Sequence, residues 1–293
     1  MKQFIYGALS AFSVVAAYHY ISNTIGKGKN YYFGTSGQGK AVHSYIPKRV
    51  SFDKNYIEER KKLQTPSGLV LTSSRKKGIF FFKNDIQNVL DNSDDKIVIF
   101  DLHEYFKPVL SYFGIEYVKM SEDELKEDIM GKYERSFCDE NAELPNIAPF
   151  TERITCFNVQ NEEDVEAALR YVFMKAKATV GKEYPKRVWL YIPSYRIAHY
   201  HAKQLYTLMK HSRMAGIIMT AAAEMDSLII NDKVRDMANM QDYLAFTDDI
   251  DKYYVSDTLR ELICRIDKAY QFDISISHEE ANKLKNIVYK LEN

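Results

Sequence analysis

Two stretches of the chain combine glycine, lysine and a turn in ways that could bind a phosphate group. The first reads GTSGQGKA and carries Gly34, Gly39 and Lys40 at the spacing of the pattern G-x-x-x-x-G-K-[ST]. In such loops glycines let backbone N–H groups converge on the anion, the lysine reaches the outer phosphates, and a hydroxyl holds magnesium. Ala41 cannot hold magnesium, and Pro47 disfavours a helix behind the loop. This stretch is therefore either a divergent phosphate loop for ATP or a turn between strands.

The second stretch has the sequence context of a phosphate loop but different residue types. A short apolar strand is predicted over Gly68–Thr72, and residues 80–90 have the spacing of a helix. The connection between them reads SSRKKGI and contains the basic cluster Arg75, Lys76 and Lys77. This cluster either attracts an anion or lies in solvent as a charged loop.

Both stretches belong to a chain in which short apolar runs and amphipathic segments alternate. Strands and helices that alternate in this way form a mostly parallel sheet with helices on both faces. The predicted strands cover residues 68–72, 96–101, 115–119, 153–159, 187–192, 216–220, 243–247 and 272–276. The predicted helices cover residues 80–90, 121–133, 161–177, 195–213, 227–240, 252–266 and 278–291. The pattern therefore predicts an α/β fold.

Two segments differ in character from the predicted core. Residues 4–21 are uncharged and mostly apolar, which is typical of either a first strand of the core or a membrane helix. Residues 134–151 are polar, contain two prolines and are predicted to be a linker. The predicted organisation is an N-terminal apolar segment over residues 1–30, followed by one α/β domain over residues 31–293.

Residues 60–71 and the connection after them resemble a segment of the TraC/TraE-like ATPases of type IV secretion and conjugative transfer. In that family the loop reads G-x-x-G-x-G-K-S. Placed on this chain, its first and third glycines fall on Thr72 and Lys77. Its phosphate-binding lysine falls on Gly78 and its magnesium-binding serine on Ile79. The resemblance implies a three-layer, RecA-like P-loop NTPase fold that has lost the side chains holding a triphosphate and its metal.

The strand predicted over residues 187–192 resembles the family strand that ends in the acidic pair of the Walker B motif. In the family, the aspartate orients magnesium and the glutamate polarises the attacking water. Here these positions are Pro193 and Ser194. Further on, the sensor glutamine position is Ala221, while Arg213 is either a charge-sensing residue or a structural cation at a helix end. The resemblance therefore implies no catalytic residue in this chain.

Asp101 and Glu104 are similar to an acidic strand end of the same family. They form either a catalytic acid pair or a helix cap beside a solvated acid. The residues left to contact a nucleotide or another anion are Arg75, Lys76, Asp101, Glu104 and Arg213.

The composition narrows the classes of ligand and partner. Lys+Arg and Asp+Glu are equal at 40 each, so the formal net charge is zero. The charge balance therefore gives no indication of a nucleic-acid partner. The three cysteines are widely spaced and lack a C-x-x-C pattern, which predicts reduced thiols and no zinc site. Neither a metal nor another cofactor is expected, and ATP is the alternative.

With the resemblance, these patterns predict a catalytically degenerate conjugation-ATPase relative that acts as a structural or regulatory subunit of a DNA or protein transfer apparatus. Its expected partners are components of that apparatus, and it is expected to form an oligomer with itself or with an active ATPase. The expected location is the cytoplasm, at the inner face of the membrane if residues 4–21 contact it. Two alternatives stay open: a motor subunit that binds or hydrolyses ATP through a divergent phosphate loop, and a membrane-anchored adaptor.

Overall fold

The structure is a computed structural model of the chain. It describes residues 48–49, 56, 59–60, 62–63, 66–120, 147–183, 187–248, 262–263, 266 and 270–292. The chain divides into two compact units, and nearly all described residues belong to the unit of residues 47–262 and 266–293. The other unit, residues 1–46 and 263–265, is described only at Ile263.

Several predicted features lie outside the described residues. They are the apolar N-terminal segment, the early loop with Gly34, Gly39 and Lys40, the helix predicted over residues 121–133, most of the predicted linker, and all but three residues of the helix predicted over residues 252–266. The described end of that linker, residues 147–151, contains neither helix nor strand. In the part of the chain that is described, no helix is long and apolar enough to cross a membrane.

Within the described ranges, nine parallel strands form one continuous sheet. They are β1 Lys48–Arg49, β2 Gly68–Thr72, β3 Lys96–Leu102, β4 Tyr117–Val118, β5 Ile154–Val159, β6 Val188–Ile192, β7 Ile217–Glu224, β8 Tyr243–Phe246 and β9 Gln271–Asp273. Their order across the sheet is β1-β9-β8-β2-β7-β6-β3-β5-β4, and every neighbouring pair runs parallel. β2 and β3 are buried along their whole length, as expected for strands covered on both faces.

Helices cover both faces of this sheet. They are α1 Arg75–Asn92, α2 Leu110–Phe113, α3 Val165–Glu183, α4 Tyr195–Tyr200, α5 Ala202–Ser212, α6 Ser227–Ile230, α7 Asp232–Met240 and α8 His278–Glu292, with 3-10 turns at Lys107–Val109 and Glu162–Asp164. Helices α1, α2 and α8 pack together on one face, whereas α3, α5 and α7 pack on the other. The predicted three-layer α/β fold is confirmed.

The path of the chain brings three strand ends together. The chain passes from β2 through α1 to β3, continues to β4 and β5 at one edge, and returns through α3 to β6, β7 and β8. Because parallel crossovers are right-handed, this reversal puts the helices of the two halves on opposite faces. The carboxyl ends of the neighbours β2, β7 and β6 meet at one edge, which is where ligands bind in open α/β sheets.

An aromatic core fills the space between the sheet and helices α1 and α8. Phe81 and Phe82 of α1 are fully buried, and Phe82 meets the Tyr191 ring of β6 edge to face, with 6.0 Å between ring centroids. Tyr56 meets the rings of Phe81 and Phe272 at 5.8 and 5.3 Å. These large rings therefore anchor α1 to the strands that frame the candidate site.

Among the differences between predicted and observed helix boundaries are an earlier start and two interruptions. Helix α1 begins at Arg75, before the apolar run in which its start was predicted. The helix predicted over residues 195–213 is interrupted at His201, whose φ of −118° and ψ of 30° are not helical. The helix predicted over residues 227–240 breaks at Asn231, whose side chain caps α7. Apolar spacing did not reveal these breaks because the buried face continues across them.

Candidate functional site

The connection between β2 and α1 consists of only two residues, Ser73 and Ser74. Thr72 closes this turn, since its hydroxyl accepts a hydrogen bond from the Ser74 N–H at 3.2 Å and donates one to the Ser74 carbonyl at 2.9 Å. Residues 75–79 already belong to the first turns of α1, and the Gly78 N–H bonds to the Ser74 carbonyl at 3.0 Å. A phosphate loop is broad and has backbone amides that converge on the phosphate. At the corresponding position this chain has a short turn followed directly by a helix.

A carboxylate of the chain itself binds this turn. Asp248 follows β8, the neighbour of β2, and its Oδ2 accepts a hydrogen bond from the Ser73 N–H at 2.9 Å. Its Oδ1 forms an ion pair with the ammonium group of Lys77. Burial raises the pKa of Asp248, but hydrogen bonds from Lys77 and Ser73 outweigh burial and hold the pKa below its usual value. An amide and an ammonium that could bind an anion are therefore bound to Asp248.

Gly78 and Ile79, at the positions of the family lysine and serine, belong to the packing of α1. A Cβ added at Gly78 would lie 3.4 Å from Thr72 Cγ2 and 3.4 Å from the Tyr105 hydroxyl. Ile79 is only 4% exposed and lies in the aromatic core. Neither position can present an ammonium or a hydroxyl group to a nucleotide.

The other two cations of the basic cluster have partners elsewhere. Arg75 donates to the carbonyl groups of Tyr105 and Glu104 at 2.8 and 3.2 Å, and its guanidinium lies 4.8 Å from the centre of the Tyr105 ring. Lys76 donates to the side chain of Asn282 in α8 at 3.0 Å. The three cations therefore bind three different parts of the protein and do not converge on one point.

Asp101 lies near the end of β3 and is fully buried. Its carboxylate accepts hydrogen bonds from the N–H groups of Leu102 and Phe106 at 2.9 and 2.8 Å and from the Tyr117 hydroxyl at 2.6 Å. Burial raises the pKa of Asp101 to about 6, although these three hydrogen bonds oppose the shift. The contacts of Asp101 are thus those of a group that holds together the turn after β3.

Glu104 belongs to the same turn but has separate partners. His103 and Glu104 both have a φ of 54°, in the left-handed region that is unfavourable for residues other than glycine. The Glu104 N–H donates to the Asn158 side chain at 2.9 Å, and the Glu104 carboxylate pairs with Lys107 at 2.7 Å. Among the described residues, no group of three or more His, Cys, Asp or Glu side chains could hold a metal ion.

The positions that resemble the Walker B acids lie in the turn between β6 and α4. Ser194 is fully buried, and its hydroxyl has no hydrogen-bond partner in the described part of the chain. β7, between β6 and β2, continues to Glu224, beyond the end predicted at Thr220. Glu224 is paired in register with Thr72 and is partly buried. Glu224 at the end of β7 therefore places an acid beside the connection between β2 and α1. Pro193 and Ser194 at the end of β6 provide no acid there.

Arg213 is not brought together with the other candidate residues. It follows α5 and precedes β7, at the sheet edge opposite the connection between β2 and α1. It donates to the Met240 carbonyl at 2.8 Å and pairs with Asp242 at 2.6 Å. In this position Arg213 joins the end of α5 to the segment that leads into β8.

Sequence reasoning missed Asp248 and Glu224, two acids that lie beside the loop. Asp248 directly follows the strand predicted over residues 243–247, and Glu224 follows the strand predicted over residues 216–220. Because the carboxyl ends of parallel strands share one edge, acids just after predicted strands were a usable signal. Tyr105, which packs against Arg75, gave no such signal because aromatic residues are frequent throughout the chain.

Comparison with known proteins adds little to this geometry. No protein-family model matches the sequence, and no curated protein does. The alignment with a solved structure of an ATPase domain covers 83% of this chain and 84% of the ATPase domain, at 16% sequence identity and a TM-score of 0.39. The described residues themselves show a three-layer α/β fold with a parallel sheet.

Proposed function

We propose that this chain is a non-catalytic relative of the conjugation and type IV secretion ATPases. It keeps the P-loop NTPase-type fold as a structural or regulatory subunit of a DNA or protein transfer apparatus. Its partners in this proposal are an active ATPase or other components of the same apparatus, and its role needs no cofactor.

The connection between β2 and α1, which Asp248 holds in a closed form and which we call the closed loop, is the observation that carries the non-catalytic part of the proposal. Ser73 and Lys77 are bound to Asp248, and residues 75–79 are helical. A nucleotide phosphate at this position would have to displace a nearly buried carboxylate from its ion pair, which leaves charges without partners in the interior.

Nucleotide binding by the full chain tests the non-catalytic part of the proposal. We expect thermal unfolding to be unchanged by ATP at about 1 mM, with or without magnesium, because only a ligand above its Kd stabilises the folded state appreciably. An active P-loop ATPase under the same conditions is the positive control. A saturable, magnesium-dependent stabilisation would contradict the proposal.

Two variants locate any nucleotide binding that is found. If Lys40→Ala abolishes it, the early glycine-rich loop binds the nucleotide and the motor alternative is favoured. If Lys77→Ala abolishes it instead, the loop between β2 and α1 opens in solution despite the bond to Asp248.

Co-purification tests the proposed association with components of a transfer apparatus. A tagged full chain, expressed in cells that carry a conjugation or type IV secretion apparatus, should retain an ATPase or another component of that apparatus. The matched control is the same tag on an unrelated P-loop protein. Recovery of no such component above this control would count against the proposed role, whatever the nucleotide assay shows.

A further inference from the structure

Strand β4 is a short strand at one edge of the sheet. It consists of Tyr117–Val118 and is paired with β5 through Tyr117 with Cys156 and Val118 with Phe157. The Val118 side of this edge is open to solvent, since Val118 is 45% exposed. A surface element with so few ladder bonds opens more readily than strands in the middle of a sheet.

The side chain of Tyr117 attaches β4 to a carboxyl group two strands away. Its hydroxyl donates to Oδ2 of Asp101 on β3 at 2.6 Å, across the intervening strand β5. Tyr117 is half-buried, whereas Asp101 and Cys156, the β5 residue in register with Tyr117, are fully buried. The ring of Tyr117 therefore contributes to the burial of both groups at this edge.

The buried carboxyl group of Asp101 has neutral donors and, among the described residues, no ion-pair partner. Two backbone N–H groups and one hydroxyl donate to it. Titratable groups that face it or its tyrosine partner are Arg75 of α1, Glu104 and Tyr105 of the turn after β3, Tyr117 of β4 and Cys156 of β5. Arg75 is the cation of this set, but it donates to backbone carbonyl groups of the turn. A carboxylate in such surroundings is less favourable than the protonated acid.

We propose that β4 is a pH-dependent cover over the carboxyl group of Asp101. While this group is protonated, β4 stays closed over it. When the group is ionised, release of Tyr117 lets water reach the charge, and the open form of β4 becomes more populated. This device goes beyond the proposed function, because it concerns the sheet edge at β4 and neither nucleotide binding nor a partner.

The direction of the effect follows from the affinity of the carboxyl group for its proton. Burial raises the pKa of Asp101 from the ordinary 3.8 to about 6 in the closed form, and contact with water returns the pKa toward the ordinary value. The advantage of the closed form is therefore complete below about pH 4 and is lost as the pH rises through about 6. Since one pKa unit is tenfold in an equilibrium constant, opening should increase by up to about 100-fold.

The thiol of Cys156 reports the opening of β4 in the full chain. Cys138→Ser with Cys264→Ser leaves Cys156 as the single thiol. Its rate of reaction with 4,4′-dithiodipyridine, divided by the rate of the urea-unfolded chain at the same pH, gives the fraction of time for which the thiol is exposed. This fraction should rise by up to about 100-fold between about pH 4 and pH 7. Urea at about 1 M should change it little, because local opening exposes far less surface than global unfolding.

Three variants assign the effect to its groups. Asp101→Asn cannot ionise and should remove the pH dependence. Tyr117→Phe keeps the covering ring but removes a hydrogen bond that lowers the pKa of Asp101, so the pH dependence should become larger. Tyr112→Phe is the matched control, because Tyr112 lies in α2 and its ring contacts Lys83; it should behave as the wild type. Circular dichroism shows whether each variant is folded.

An exposed fraction of Cys156 that does not change with pH would overturn the proposal. The same holds if Asp101→Asn keeps the pH dependence of the wild type. Labelling that accelerates steeply in about 1 M urea would show that global unfolding and not the opening of β4 exposes the thiol, which would also overturn it.

Discussion

Asp248 and Lys77 form an ion pair whose side chains are 8% and 12% exposed, respectively. Asp248→Ala leaves the Lys77 ammonium, whose side chain is nearly buried, without its carboxylate partner and also frees the Ser73 N–H. We therefore expect the free energy of unfolding, measured with urea, to fall by about 3 kcal/mol. Sulfate should stabilise this variant more than the wild type, because the freed groups at the start of α1 can then bind an anion.

The pair of Lys233 and Asp236 provides the control for this experiment. Both side chains are 45% exposed, and Asp236→Ala should leave the stability nearly unchanged because solvent screens the pair. If Asp248→Ala were equally harmless, or if sulfate had no additional effect on it, the turn would not be held closed by its carboxylate.

Asp101 gives the stability a dependence on pH. Its pKa is raised from the ordinary 3.8 to about 6, so folding favours the protonated form. Its contribution to stability is therefore complete below about pH 4 and is lost as the pH rises through about 6. The loss amounts to about 3 kcal/mol, since one pKa unit corresponds to about 1.4 kcal/mol.

Asp101→Asn removes this titration, and urea unfolding at several pH values measures the effect. The wild type should lose about 3 kcal/mol relative to the variant between about pH 4 and pH 7. Asp94→Asn, the same change at an exposed aspartate, is measured in parallel as the control substitution. A constant difference for Asp101→Asn would show that burial does not raise the pKa of this carboxyl group.

At the scale of elements, the early start of α1 makes Gly78 a helical residue. A Cβ there meets Thr72 and Tyr105 at 3.4 Å, an ordinary contact distance. Alanine favours a helix over glycine by about 1 kcal/mol, so Gly78→Ala should raise the free energy of unfolding by about 0.5–1 kcal/mol. Destabilisation by this substitution would instead indicate an open, glycine-dependent loop.

Gly216 is the matched control for this substitution. It has a φ of 70°, and a Cβ there would lie 2.9 Å from Val180 Cγ1. Gly216→Ala should therefore destabilise the protein by about 1 kcal/mol or more, in the opposite direction to Gly78→Ala. Thermal or urea unfolding of the two variants in parallel gives the comparison.

At the scale of the whole molecule, a buried ion pair joins three separate parts of the chain. Arg60 precedes β2 and binds Asp85 of α1, and the Tyr191 hydroxyl of β6 donates to the same carboxylate at 2.9 Å. Asp85→Leu leaves the Arg60 charge buried without its partner and should cost about 3–5 kcal/mol. Urea unfolding of this variant measures the cost.

The double variant Arg60→Met with Asp85→Leu should recover much of that loss, because well-packed apolar residues can replace a buried pair. Arg60→Met alone completes the double-mutant cycle. Additive effects of the two single changes would mean that the pair contributes no coupling between these parts of the fold.

The sequence by itself determined eight of the nine described strands, most of the helices that alternate with them, and the class of fold, whereas the short strand β1 and helix α2 were not predicted. Apolar runs such as Gly68–Thr72 and Lys96–Leu102 are local signals, and alternation with helices implies a parallel sheet. The residue types at Gly78, Ile79, Pro193 and Ser194 were also known from the sequence alone, because the absence of an ammonium or a carboxylate is a property of the residue and not of its surroundings.

Only the tertiary structure decided where those residues lie and what binds them. Asp248 reaches Lys77 because β8 and β2 are neighbours, although the two residues are 171 positions apart in the chain. Arg213 lies at the opposite edge from the loop because α5 runs back across the sheet before β7 begins. Such contacts depend on strand order and crossover direction, which bring together groups that share no local pattern.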